Sequence, residues 1–184
     1  MLQDLGLVGK RGIPMNNVFK EDYYRYTGSR RVRLGWLAKD HALRYLLCLR
    51  GGVLLLPLRK HMQTKYGLEL GRGTNIAPGL YLGHAYGITV NPNATIGKNC
   101  NLHKGCTVGQ ENRGLRQGAP VLGERVWVGA HATVVGKITI GDDVLIAPNA
   151  YVNQDIPSHS IVVGNPCRVI SRDKATDKYI ERLV

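Results

Sequence analysis

The sequence predicts a parallel β-helix, and three observations predict it. An aliphatic residue recurs every six positions between Leu70 and Val152, in three registers: Leu70, Ile76, Leu82 and Ile88; then Val90, Ile96, Leu102 and Val108; then Leu122, Val128, Val134, Ile140, Ile146 and Val152. The residue after the aliphatic one is small in most repeats (Gly71, Ala77, Gly83, Gly97, Gly109, Gly123, Gly129, Gly141, Ala147). The fifth position is often small or β-branched (Thr74, Cys100, Cys106, Val126, Ala132, Val144, Ala150). A period of six fits neither a 3.6-residue helix nor a freely alternating strand. It fits a chain that turns a corner every six residues.

Three such stretches close one triangular coil of about eighteen residues. The aliphatic residue points at the axis and stacks on its counterpart in the next coil. The small residue lets the backbone bend where a Cβ would crowd the turn. One coil alone cannot bury its face, so the coils stabilise each other.

The segment before the coils differs in composition. Formal net charge is +12 over 184 residues. Residues 1–65 hold 13 Lys/Arg against 4 Asp/Glu, and residues 66–184 hold 12 against 9. The basicity therefore belongs to the N-terminal segment. No nucleic-acid motif accompanies it, and an anionic cofactor, glycan or membrane surface accounts for it as well. No run of about eighteen apolar residues predicts a membrane span. The start lacks the order of a secretory signal, which points to a cytoplasmic address. The four cysteines show no zinc spacing, and Cys100 with Cys106 read as thiols stacked in the core. No metal site is expected.

Taken in order, residues 1–16 read as a weakly ordered leader, with Gly6, Gly9, Gly12 and Pro14. Asn16 or Asn17 caps a helix that runs through Tyr26 and ends at Gly28. An amphipathic helix covers Leu34 to Leu49, broken by Gly51-Gly52, and a second covers Val53 to Tyr66, with Pro57 in its first turn. These helices are expected to cap the open end of the β-helix or to pack on a neighbouring subunit. The step from Ile88 to Val90 shifts the register by two and places a bulge at Thr89 to Pro92. Residues 110–120 carry no aliphatic anchor and leave the prism as an external loop. Lys174 to Leu183 is expected to form a short terminal helix. The chain thus divides into a basic, partly helical segment (1–65), the β-helix (66–170) and a C-terminal tail (171–184).

The repeats, together with the closing stretch Gly164-Asn165-Pro166-Cys167-Arg168, resemble the hexapeptide-repeat acyltransferases over residues 66–170. Within them the chain looks most like the serine acetyltransferases and the O-acetyltransferases of bacterial polysaccharide clusters. The resemblance implies a left-handed β-helix, a homotrimer with active sites between subunits, and acetyl-coenzyme A as co-substrate. His84, in Leu82-Gly83-His84-Ala85-Tyr86-Gly87, resembles the catalytic histidine of an Asp-His-Ala-Thr-Gly stretch and is the expected general base. Glu69 stands fifteen positions earlier, where the family has an orienting acid. The family's second acid is absent, because Gly83 precedes His84.

The acceptor side departs further. Serine acetyltransferases carry Arg-His-Pro at the end of the extruded loop, and this chain has Gly118-Ala119-Pro120. Without a cation there, a free amino acid's carboxylate loses its charge-assisted hold. Arg113 and Arg116 in the loop, with His103 and Tyr86, are the remaining acceptor-side candidates. Gly109, Ala130 and Pro148 are expected along the pantetheine slot, and Arg168 at the coenzyme's phosphates. The sequence therefore points to transfer of acetyl to a sugar hydroxyl of a surface polysaccharide or its precursor. Serine O-acetylation is the alternative, and a non-catalytic β-helix scaffold the remote one. A basic N-terminus leaves a membrane-surface contact open.

Overall fold

A computed structural model describes residues 16–184, apart from residue 72. The expected leader over residues 1–16 falls, but for Asn16, outside the described residues. Four helices come first: α1 (Asn17–Thr27), α2 (Leu34–Lys39), α3 (His41–Arg50) and α4 (Leu56–Tyr66), the last preceded by a 3-10 turn over Val53–Leu55. Asn16 caps α1 through the Val18 N–H, and Gly28 closes it in the left-handed conformation (φ 70°). The single helix expected over Leu34 to Leu49 is two. Asp40 leaves helical geometry and its carboxylate accepts from the Ala42 and Leu43 N–H groups, which starts α3 afresh.

Fifteen short strands follow and make a three-faced prism. The first face stacks β1 (Glu69–Leu70), β4 (Thr89–Val90), β7 (Thr107–Gly109), β10 (Thr133–Val135) and β13 (Tyr151–Val152). The second stacks β2 (Asn75–Ile76), β5 (Thr95–Ile96), β8 (Val121–Leu122) and β11 (Thr139–Ile140). The third stacks β3 (Tyr81–Gly83), β6 (Asn101–His103), β9 (Val126–Val128), β12 (Val144–Ile146), β14 (Ser160–Val163) and β15 (Arg168–Ser171). All rungs pair in parallel except β15, which folds back antiparallel on β14.

The six-residue anchors fall on each other as the period demands. Val90, Val108, Val134 and Val152 form one column, and Leu82, Leu102, Val128, Ile146 and Val162 another. All nine are buried. The small residues after the anchors are needed for a different reason from the one expected. A Cβ on Gly129 would lie 2.5 Å from the Pro148 nitrogen, so the obstacle is the backbone of the next coil. The bending itself is done by left-handed residues three places before the anchors. One corner column is Gly67, Gly87, Gly105, His131 and Asn149, with φ between 57° and 69°. Cys100 and Cys106 are both buried, but on adjacent faces rather than on one another, and burial pushes each thiol up to about 12.

The helices close the first coil. Phe19, Tyr23, Leu43, Tyr45 and Leu46 join Leu68, Leu70 and Leu80 in one continuous core. The Tyr45 hydroxyl donates to the Leu68 carbonyl and accepts from the Leu70 N–H. Asp22, fully buried in α1, accepts from the Gly79 and Leu80 N–H groups and from Arg50 of α3. Burial pushes its carboxyl up, against the pull of Arg50 and the two N–H groups.

At the far end the expected terminal helix is absent. Lys174, Lys178 and Arg182 all take positive φ (54°, 64°, 53°), which breaks the helix every four residues and leaves a string of turns. Asp143 pins this tail by accepting from the Ala175 N–H, the Thr176 N–H and the Thr176 hydroxyl.

Candidate active site at the bulged corner

His84 stands on an insertion. Every later step from the third face to the first takes six residues, as from Leu102 to Val108. The step from Leu82 to Val90 takes eight. Gly83 pairs with His103, and the Gly105 N–H bonds to the Tyr86 carbonyl, so the extra residues are His84 and Ala85. The bulge therefore lies here and not at Thr89 to Pro92. It places His84 outside the prism, exposed, with a left-handed backbone (φ 49°).

What holds the bulge was not expected from the sequence. His41, the first residue of α3, bonds through Nε2 to the Ala85 carbonyl at 3.0 Å. Its ring lies 4.4 Å from that of Tyr66 and 4.8 Å from that of Tyr86. Tyr26 of α1 straddles the neighbouring strand, accepting from the Leu82 N–H at 2.7 Å and donating to its carbonyl at 3.2 Å. Together these elements enclose a cavity of about 300 Å³, lined among others by His84, His103, Asp40, His41 and Tyr81. The break at Asp40-His41 was the available signal, since an aspartate followed by a new apolar run is a helix-start pattern.

His103 faces the same cavity. Its ring occupies the space that any side chain at position 83 would need, and it packs on Trp127 with ring centroids 4.5 Å apart. Gly83 and His103 are thus coupled: the absent acid makes room for the imidazole. Burial, helped by His84, pushes His103 down to about 4, so it is neutral near pH 7. Its Nε2 is buried with no hydrogen-bond partner.

Other expected site residues fall into two groups. Tyr86, Ala130 and Pro148 form a column along the His84 corner together with Lys104, which was not among the expected residues, joined by bonds from the Gly105, His131 and Asn149 N–H groups to the preceding rung's carbonyls. Four rungs, three steps of the usual strand spacing, span roughly 14 Å. Arg168 opens β15, exposed at the last rung of the third face. By contrast, Gly109 ends β7 at the opposite edge of the first face, in a separate groove of about 360 Å³ that it shares with Glu69. Among the described residues no hydrogen bond joins Glu69 to His84 within one chain, and the two line different cavities. The loop over 110–120 also leaves from that opposite edge. Arg116 pairs with Glu111 at 3.2 Å there, and neither Arg116 nor Arg113 lines the His84 cavity of its own chain.

Residues 119–154 match the bacterial transferase hexapeptide family, described as six repeats. The serine acetyltransferase of Helicobacter pylori is 37% identical over 108 residues, covering 59% of this chain and 63% of that enzyme. The chain fits the hexapeptide-repeat acyltransferase superfamily and resembles serine acetyltransferases. Serine acetyltransferase 2 of Arabidopsis thaliana is 31% identical over 118 residues, covering 64% of this chain and 36% of its own. The match to these curated relatives thus spans less than two thirds of their length. The serine acetyltransferase of Neisseria gonorrhoeae, solved in complex with serine, superposes with a TM-score of 0.67 at 26% identity, covering 84% of this chain and 66% of that one. Isoform 3 from Entamoeba histolytica, solved with cysteine, shares the fold with a TM-score of 0.65 at 23% identity, covering 89% and 62%. Among the described residues no three His, Cys, Asp or Glu side chains cluster as a metal site.

Proposed function

We propose that the protein is an acetyl-coenzyme A-dependent O-acetyltransferase of the serine acetyltransferase type. One observation carries this reading: His84 is lifted out of a regular prism on a two-residue insertion and held there by α3. As general base, His84 takes the proton of the acceptor hydroxyl while that oxygen attacks the thioester carbonyl. The C–S bond then breaks, and the proton returns from the imidazolium to the departing thiolate. No acyl-enzyme is needed. The column of Lys104, Ala130 and Pro148 offers a narrow rail with one cation along which the coenzyme's arm fits. Because His84 and the loop occupy opposite edges of one face, they complete a single site only across two copies, which supports a trimer with sites between subunits.

A free serine acceptor is supported by the names of the relatives. One feature of this chain favours a sugar hydroxyl instead. Position 118, where the resemblance places an arginine, is a glycine at φ 134°, a conformation that L side chains rarely adopt. On the outer side, Arg30, Arg31 and Arg33 precede the exposed Leu34 and Trp36, a surface suited to an anionic glycan or lipid headgroup. No helix of the described residues is long and apolar enough to cross a membrane. We place the reaction in the cytoplasm, where acetyl-coenzyme A is at hand.

Release of coenzyme A by the purified protein tests the reading. With L-serine and a sugar panel in parallel, His84→Gln is expected to lower turnover by about 10²-fold or more, with assembly unchanged. An unaltered rate overturns it.

A further inference from the structure

The cavity of His84 does not end at His103. A second cleft of about 320 Å³ lies on the other side of His103 and Tyr81, between α1, the outer surface of the third face and the C-terminal tail. Its walls are aromatic. Trp127 packs at a tilt on His103 on one side and meets Tyr179 of the tail edge-on on the other, with ring centroids 5.3 Å apart in the second pair. Tyr81 forms a further wall and packs on Tyr26 at 4.4 Å.

Its floor holds a cation with no ion-paired carboxylate among the described residues. Arg25 is 4% exposed. Its guanidinium donates at 2.7 Å to the Gly79 carbonyl and at 2.7 Å to the Asn101 side-chain oxygen, both neutral acceptors. Its Nε has no partner. No carboxylate forms an ion pair with it among the described residues. A buried charge satisfied only by neutral groups is costly and strongly attracts a counter-ion. Three side chains among the described residues keep a buried, unpartnered nitrogen, and two of them, Arg25 and His103, line this cleft. Buried polar atoms are normally paired, so two unpartnered nitrogens in residues of one cleft mark its wall as chemically incomplete. Lys178 and Arg182 at the rim outnumber Glu181 and reinforce the sign.

We propose that this cleft binds an acidic sugar unit, a pyranose carrying a carboxylate. The flat aromatic walls take the ring faces, Arg25 takes the carboxylate, and neutral His103 bonds a hydroxyl. Free serine is too short for both ends. Asn101, which holds Arg25, lies two residues along the strand from His103, roughly 7 Å away, and His84 lies beyond His103. The cleft therefore extends the acetyltransferase site toward an acidic glycan acceptor, and its catalytic role rests on that reading.

Binding is read through Trp127 fluorescence. The chain has two tryptophans, so Trp36→Phe leaves Trp127 as the sole reporter. Titration of the full-length protein with D-glucuronate is expected to give a saturable change. D-glucose should bind about tenfold more weakly or worse, the loss of one charge-assisted contact. Tyr179→Ala, at a half-exposed position where folding is not at stake, should abolish the glucuronate response with the thermal midpoint unchanged. Arg25→Gln should abolish it too, but this variant also tests a buried packing position. No response to glucuronate, an equal response to glucose or to L-serine, or a response that survives Tyr179→Ala overturns the proposal. The signal does not depend on turnover, so its failure leaves the acetyltransferase reading standing, and an inactive enzyme leaves the cleft standing.

Discussion

Asp22→Ala should detach the helices from the first coil. The Asp22 carboxylate is wholly buried and accepts four hydrogen bonds: the Gly79 N–H at 2.9 Å, the Leu80 N–H at 2.9 Å, Arg50 Nε at 2.8 Å and Arg50 Nη2 at 3.4 Å. Alanine leaves the two N–H groups without a partner, at about 1–3 kcal/mol each. It also leaves a nearly buried guanidinium without its anion. Arg50 keeps its bonds to the Ile76 and Ala77 carbonyls, so the cation is not wholly orphaned. Breaking a buried ion pair from one side costs about 3–5 kcal/mol. The terms overlap, and the net expectation is a loss of about 4 kcal/mol, a large part of an ordinary domain's roughly 5–15 kcal/mol. Urea unfolding at pH 7 measures it, with far-UV circular dichroism reporting helix loss separately from the β-helix. Asp22→Asn should cost less, because it keeps one acceptor oxygen. A loss below about 1 kcal/mol for Asp22→Ala would show that the latch behaves like an exposed ion pair and refute the argument.

Two further outcomes are expected. Gly83→Asp restores the acid of the resembling family but drives its Cβ into the His103 ring, so it should cost about 1–3 kcal/mol. Adding His103→Ala should recover part of that loss, and simply additive midpoints would deny the coupling. His103 itself should make the fold acid-labile. Its folded value, about 4, lies below the ordinary 6.5, so the unfolded chain binds the proton first. Stability is then complete above pH 6.5 and falls as pH drops toward 4, by on the order of 3 kcal/mol at most. The urea midpoint of His103→Leu should fall less than that of the parent across this window. The Asp143 carboxyl sits elsewhere on the scale. Burial pushes it up, but bonds from Thr176, His159 and Ala175 outweigh that and hold it low, so its contribution is lost only at more acid pH.

The β-helix was legible because stacking is periodic. Each anchor meets the residue one coil away, so Val90, Val108, Val134 and Val152 repeat a local rule that a single sequence displays. The bulge was visible as a broken period but was misplaced, because Ile88 is also buried and stood in for an anchor. The terminal helix was wrong because Lys174, Lys178 and Arg182 reveal nothing of their left-handed backbone in their side chains.

By itself the sequence determined the coil, its six-residue period and the excluded loop, since each follows from neighbours along the chain or from a fixed spacing. Only the tertiary structure decided what surrounds His84. His41, Tyr26 and Arg25 reach the third face across more than forty residues of chain. Those contacts are made by single side chains on helices that pack against the prism, and a contact made once, between distant segments, leaves no period to read.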